Sequence, residues 1–213
     1  MLCGMDEAGR GPVIGPLVIA GVMVADEAPL REMGVRDSKK LTPARRSELD
    51  VLIRKVAKVD VEVIDALTID ARGEGSLNDL ELDHFAMIIE RMRPTSVFAD
   101  ACDPSESAFH DKLSSRLKYV PEMTCRHKAD DLFPCVSAAS IVAKVLRDRI
   151  VEQIAAELGE EIGSGYPADP TTRAFLKRWI KEKRDFPPHT RKSWKTCQEI
   201  RSETLTRKIT DWE

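Results

Sequence analysis

Apolar residues fall along this chain in short strand-length runs, separated by stretches with helical spacing. Leu2 to Ala8 is a short first strand, followed by a Gly/Pro-rich bend, Gly9-Arg10-Gly11-Pro12. Leu17 to Val24 is an unbroken run rich in Val and Ile, the mark of a buried strand. Thr42 ahead of Pro43 supplies an N-cap and a first helical residue, so a helix is expected from there to about Ala57. Val59 to Ile64 is a third strand. A helix opening at Ser76-Leu77-Asn78-Asp79 should end near Arg93, because the residue before Pro94 is pushed out of the helical region. Ser96 to Ala101 is a short buried strand closing on Asp100. A helix around Ser105–Arg116, a strand near Leu117–Cys125 and a long helix from about Leu132 to Leu158 follow. From Gly163 the chain is helical and basic, with turns at Gly163-Ser164-Gly165, Pro167 and Pro187-Pro188. Strands interleaved with helices predict an α/β sheet with a helical C-terminal appendage.

The 213 residues suit one such domain, 1–160, carrying an extension, 161–213. The longest apolar run, Val13 to Ala25, is too short for a bilayer and is broken by Gly15 and Pro16, so no membrane association is expected. Asp6, Glu7 and Arg10 precede it, which does not suit a signal peptide. Five cysteines form no CxxC pair and are odd in number, which fits reduced thiols in a cytoplasm better than disulfides or a zinc site. A net charge of −3 argues weakly against a nucleic-acid partner, but it is unevenly spread. Residues 1–110 hold 13 Lys+Arg against 20 Asp+Glu, and residues 111–213 hold 20 against 16. An acidic half can hold cations and a basic half phosphates; ordinary surface scatter accounts for the split equally well.

Several residues could carry chemistry. Asp6-Glu7 sits where the first strand meets its bend. Neighbours on a strand point to opposite faces, so both can serve one site only if the strand ends or twists there. Taken alone, an acidic pair near a turn is usually a solvated surface. The Gly9-Arg10-Gly11 bend exposes backbone N–H groups beside a guanidinium, which suits a phosphate or a ribose hydroxyl; a plain turn is the alternative. Asp100 ends a buried strand, where a carboxylate is held rigidly. Asp103 competes with it but is better placed to cap the next helix. If helical geometry reaches back to Asp130, then Asp130, Ser137 and Lys144 share one face with Ser140 beside them. That polar stripe on an otherwise apolar helix lines a phosphate cleft or back-bonds within the helix. Tyr166, framed by Gly165 and Pro167, presents its ring to a ribose or plugs a loop. His127 is a proton shuttle or a structural loop histidine. For His189, Trp179 and Trp194 core packing is the default.

Together these segments resemble the ribonuclease HII family, in its archaeal form. The matching stretches are Gly4-Met5-Asp6-Glu7-Ala8-Gly9-Arg10-Gly11-Pro12, Asp37-Ser38-Lys39-Lys40-Leu41, Ala99-Asp100, His127-Lys128-Ala129-Asp130 running into Val136 through Lys144, and Gly163-Ser164-Gly165-Tyr166-Pro167. They occur in family order. The resemblance implies an RNase H-like fold, a mixed five-stranded sheet flanked by helices with a helical C-terminal extension. It implies four acidic metal ligands at Asp6, Glu7, Asp100 and Asp130. It implies substrate contacts from Gly9, Arg10 and Gly11, from the lysines Lys39 and Lys40, and from Ser137, Ser140 and Lys144, with Tyr166 stacked on the ribose beside the scissile bond. The implied substrates are RNA–DNA hybrids and duplex DNA containing ribonucleotides, and the implied state is a monomer.

Hydrolysing a phosphodiester needs an activated water and a stabilised leaving O3′, and two divalent ions supply both. Carboxylates suit Mg²⁺ or Mn²⁺, and the expected products are a 5′-phosphate and a 3′-hydroxyl. A resolvase-like or transposase-like DNA nuclease on the same kind of fold is one rival, disfavoured by the Gly-Arg-Gly bend and Tyr166. A non-catalytic hybrid-binding module is another, disfavoured by the full set of carboxylates. The related ribonuclease HIII carries an extra N-terminal domain, whereas the first strand here begins at Met1.

Overall fold

Every residue of Leu17–Val24 is buried, as an unbroken apolar run requires. This strand, β2, pairs antiparallel with β1 (Leu2–Ala8), from Leu2 opposite Val24 to Ala8 opposite Val18. With β3 (Lys58–Ile64), β4 (Ser96–Asp100) and β5 (Glu122–Arg126) they form a five-stranded sheet in the order β3-β2-β1-β4-β5. β1, β4 and β5 run parallel, so the sheet is mixed, as expected. This is a computed structural model, and it describes residues 1–35, 41–73 and 75–205.

The helices are α1 (Ala28–Glu32), α2 (Pro43–Val56), α3 (Ala66–Ala71), α4 (Leu77–Met92), α5 (Glu106–Ser114), α6 (Ala129–Leu132), α7 (Pro134–Leu158), α8 (Pro170–Lys183) and α9 (Lys195–Leu205). Thr42 caps α2 by accepting the Arg45 N–H, and Ser76 caps α4 by accepting that of Asp79. α4 stops at a left-handed Arg93 ahead of Pro94. Two expectations need correcting. The strand expected from Leu117 starts only at Glu122, after Pro121; Tyr119 is held instead by its hydroxyl on the carbonyls of Ile89 and Pro94. The long helix expected from about Leu132 is α7, but helical geometry does not run back unbroken to Asp130: the chain is extended at Phe133, ahead of Pro134, and Asp130 sits in the separate short helix α6. The short helices α1 and α3 carry no periodicity long enough to read.

The chain divides into two compact units. The first comprises Met1–Ala8, Leu17–Val63 and Glu74–Arg147 and contains the sheet; the second comprises Gly9–Pro16, Ile64–Gly73 and Asp148–Glu213. In the first unit, successive β1 residues face opposite sides. Cys3 and Met5 meet Met92 of α4, with Cys3 Sγ 3.7 Å from Met5 Sδ and 4.0 Å from Met92 Sδ. Gly4 faces the other way and lies directly on the start of α7. A Cβ at Gly4 would fall 2.1 Å from the carbonyl carbon of Cys135, so only glycine lets strand and helix approach this closely. The core of the second unit gathers Val13, Ile14, Val151, Ile154, Phe175, Leu176 and Ile180, with Trp179 and Trp194 packed against it. Among the described residues no helix is long and apolar enough to cross a membrane.

Candidate active site

Asp6 lies two residues beyond Gly4 and so on the same, α7-facing side of β1. It is 5% exposed. The Ser140 hydroxyl of α7 donates to its carboxyl, and the Glu7 N–H donates to Oδ1 at 2.7 Å. Burial, and then the neighbouring charges of Asp100 and Asp130, push the Asp6 pKa from 3.8 up to about 7, against the opposing pull of those two hydrogen bonds.

Asp100 comes to Asp6 through strand register. β1 and β4 pair in parallel as far as Met5 opposite Ala99, which sets positions 6 and 100 side by side. Asp100 Oδ1 also accepts the Ala129 N–H at 3.1 Å, tying the end of β4 to the start of α6, one residue before Asp130. Lys128 enters α6 in the left-handed conformation, with φ 56°. Asp130 is buried, and its carbonyl accepts the Ser137 hydroxyl from the first turn of α7. Asp130 is thus held by contacts around the α6–α7 break and not by the register of one continuous helix.

Ser137 and Ser140 are both buried, with their hydroxyls directed to Asp130 and Asp6. Lys144, one turn beyond Ser140 on α7, is half-buried. Lys39 and Lys40 lie outside the described residues. Glu7 raises the strand question directly. The β1 ladder stays regular through Glu7 opposite Ile19 and Ala8 opposite Val18, so the strand does not end between Asp6 and Glu7. Regular alternation alone would turn Glu7 to the side of Cys3 and Met5. Asp100 and Asp130 lie close enough for their charges to act on Asp6.

These donors suit a cation. Buried carboxylates that repel one another are relieved by a divalent ion, and oxygen donors match Mg²⁺ or Mn²⁺. Among the described residues no three His, Cys, Asp or Glu side chains form a preformed cage. Mg²⁺ needs none: it keeps several waters and binds through one or two carboxylates plus substrate phosphates.

The residues nearby in sequence have structural work. Asp103 accepts from Lys112 Nζ at 2.8 Å, and the helix cap expected of it belongs to Ser105. His127 Nε2 lies 2.9 Å from the Asp103 carbonyl oxygen, and its N–H donates to Glu106 at 2.8 Å. His189 is not a core residue; its Nε2 lies 3.2 Å from Glu157.

The second unit contains the Gly-Arg-Gly bend and Tyr166, and brings them together. Gly9 takes φ 98°, which requires glycine. Gly11 has no such demand, and a Cβ on it would meet the Tyr166 ring at an ordinary 3.7 Å. Tyr166 is 36% exposed. Its turn is anchored by the Gly165 carbonyl, which accepts the N–H groups of Val13 and Ile14 at 2.8 and 3.2 Å. Asp169 braces the same turn: Oδ2 accepts the Ser164 N–H and hydroxyl, and Oδ1 accepts the Thr171 N–H to cap α8. These bonds hold the Asp169 pKa down at about 2. On the other side, Arg191 donates to the Gly9 and Arg10 carbonyls. Neither Asp169 nor Arg191 stood out in the sequence. Asp169 carried a usable signal, an N-cap residue directly before proline.

Against known proteins, the profile of the family described as Ribonuclease HII matches residues 3–197. The chain belongs to the ribonuclease HII family. It is accordingly a ribonuclease H, a hydrolase of phosphodiester bonds. A Ribonuclease HII of Thermococcus kodakarensis is 51% identical over 205 residues, covering 93% of this chain and 89% of that one. The crystal structure of ribonuclease H2 from Pyrococcus horikoshii superposes with a TM-score of 0.91 at 38% identity, covering 97% and 99% of the two chains. The ribonuclease HII in the PCNA complex from Archaeoglobus fulgidus gives 0.88 at 38% identity, with both chains fully covered. The RNase H-like fold expected from the sequence is therefore the fold observed.

Proposed function

We propose that this ribonuclease HII cuts the RNA strand of RNA–DNA hybrids and cuts 5′ of ribonucleotides embedded in duplex DNA, using two divalent ions. The observation that carries this reading is the burial of Asp6 beside Asp100 and Asp130, a cluster that favours a cation over its own ionised state. Asp6, Asp100 and Asp130 would hold the ions, with Glu7 as a fourth ligand from the end of β1. Mg²⁺ or Mn²⁺ held there would supply an activated water and offset charge on the leaving O3′, and the products would be a 5′-phosphate and a 3′-hydroxyl.

The protein's own residues do the rest. Ser140 orients the Asp6 carboxylate, and Ser137 holds the backbone at Asp130. Lys144, Lys39 and Lys40 neutralise phosphates of the nucleic acid. Backbone N–H groups of Gly9, Arg10 and Gly11, with the Tyr166 ring, read the ribose; the 2′-OH is the only group there that separates RNA from DNA.

The test is a DNA duplex carrying one ribonucleotide, incubated with Mg²⁺ or Mn²⁺, with the cut position and end groups mapped. Cleavage at the 5′ side of the ribonucleotide, leaving a 5′-phosphate, is expected. Equal cutting of an all-DNA duplex would overturn the reading.

A further inference from the structure

Arg191 is fully buried, and its guanidinium grips one loop. Nη2 donates to the Gly9 carbonyl at 2.6 Å, Nη1 to that of Arg10 at 2.9 Å and Nε to that of Gly15 at 3.1 Å. Its own N–H donates to the Val13 carbonyl at 2.8 Å. Desolvating a guanidinium is costly, and an apolar side chain would fill the same space with less penalty. Stability alone therefore gives a weak reason for an arginine here.

The peptide planes give a stronger one. In a trans peptide the C=O and N–H of one plane point in opposite directions, and the described residues contain no cis bond. The Gly9 carbonyl shares its plane with the Arg10 N–H, and the Arg10 carbonyl shares its plane with the Gly11 N–H. Both carbonyls are turned onto the buried guanidinium, so both N–H groups are turned away from it. Gly11 is exposed, and the Tyr166 ring lies against it.

We propose that Arg191 is a positioning residue: it orients two successive peptide planes so that the Arg10 and Gly11 N–H groups face the ribose and phosphate oxygens of the substrate. This deepens the reading of the bend as a substrate contact and rests on it. A guanidinium suits this because its donors are fixed in one planar fork and hold two carbonyls in a set geometry, whereas the three donors of an ammonium rotate about a flexible stem.

The test compares three variants of the full chain. Arg191→Met removes every side-chain donor, Arg191→Lys keeps the charge without the fork, and Ile180→Ala loosens the core of the same unit without touching the bend. Each is measured for backbone order parameters of residues 9–11 by NMR relaxation in the free protein, and for kcat and KM on the single-ribonucleotide duplex. An all-DNA duplex is the control. Arg191→Met should lower the order parameters of the segment, raise KM and lower kcat/KM by roughly 10- to 100-fold, the loss expected from about 1 Å of misplacement. Arg191→Lys should fall between Met and wild type. Ile180→Ala should lower Tm while leaving the order of the segment and KM unchanged. If Arg191→Met matches Ile180→Ala in both once each is corrected for folded fraction, Arg191 is merely structural and the proposal is overturned. If the order parameters respond as expected but the wild type cuts the all-DNA duplex equally well, the ribose-reading function falls, and Arg191 still stands as the residue that sets the loop.

Discussion

The Ser140 hydroxyl of α7 donates to the carboxyl of Asp6 on β1, while burial and then the charges of Asp100 and Asp130 drive that carboxyl toward its protonated form. The serine thus works on the ionisation of the aspartate, not on solvent. Ser140→Ala should lower activity by roughly 10- to 100-fold, the usual range for a group that orients a metal ligand. The diagnostic measurement is a Mg²⁺ titration. The half-saturating concentration should rise with little change in KM for the duplex; a rise in KM alone would instead make Ser140 a phosphate contact.

Asp6 carries a second consequence, visible without metal. Its folded pKa of about 7 lies above the 3.8 of an ordinary aspartate, so between those values the folded chain binds more protons than the unfolded one. Stability in EDTA should therefore fall as pH rises from about 4 to 7. Asp6→Asn removes this term. It should melt a few degrees above wild type at pH 8 in EDTA, since 1 kcal/mol is worth roughly 2–4 °C at this size. The gain should shrink toward pH 4, and the variant should lose activity by more than about 100-fold, more than the loss of an orienting group.

Glu7 separates two geometries. As a ligand reaching in from the end of β1, it should be as sensitive as Asp6, so Glu7→Gln should cost more than about 100-fold with Mg²⁺. Retained activity in a cleavage assay would confine the metal site to Asp6, Asp100 and Asp130, as the unbroken strand alternation allows.

The two glycines of the bend should respond differently. Gly9→Ala forces a side chain into φ 98° and should cost about 1–2 kcal/mol of stability. Gly11→Ala meets only the ordinary 3.7 Å contact with Tyr166, so thermal melts should change by less than about 1 kcal/mol. Its KM should nevertheless rise if nucleic acid approaches the backbone there. An unchanged KM would remove Gly11 from the substrate surface.

Asp169 should show a pH signature of the opposite sign. Its folded pKa of about 2 lies below 3.8, so its contribution is complete above about pH 4 and is lost as pH falls toward 2. Asp169→Ala should lower Tm at neutral pH, with the difference from wild type vanishing in acid. Activity should also drop, because the Ser164–Tyr166 turn loses its brace.

Much of this site is written in local pattern. Asp100 could be found because a buried run stops on it, and Thr42-Pro43 and Ser76 mark their helices by capping chemistry alone. Asp130 is legible from its heptad spacing to Ser137, but Pro134 breaks the helix between them, and the proline itself marks that break in the sequence. Arg191 could not be read at all. The carbonyls it holds lie 176 to 182 residues earlier in the chain, and its sequence neighbourhood is simply basic. Which charges Asp6 feels was also hidden, because it depends on the register between β1 and β4 and not on spacing along either strand.

Gly4 contributes no functional group, yet it sets a length. With a side chain at this position, α7 could not rest its first peptide on β1, and every residue further along the helix would be carried outward with it. Ser140 reaches Asp6 from a helix whose start is close to β1 because Gly4 has only a hydrogen atom where a side chain would meet the Cys135 peptide. The reach of the candidate site is here calibrated by a residue that carries no functional group of its own, and the chain has no shorter spacer to offer.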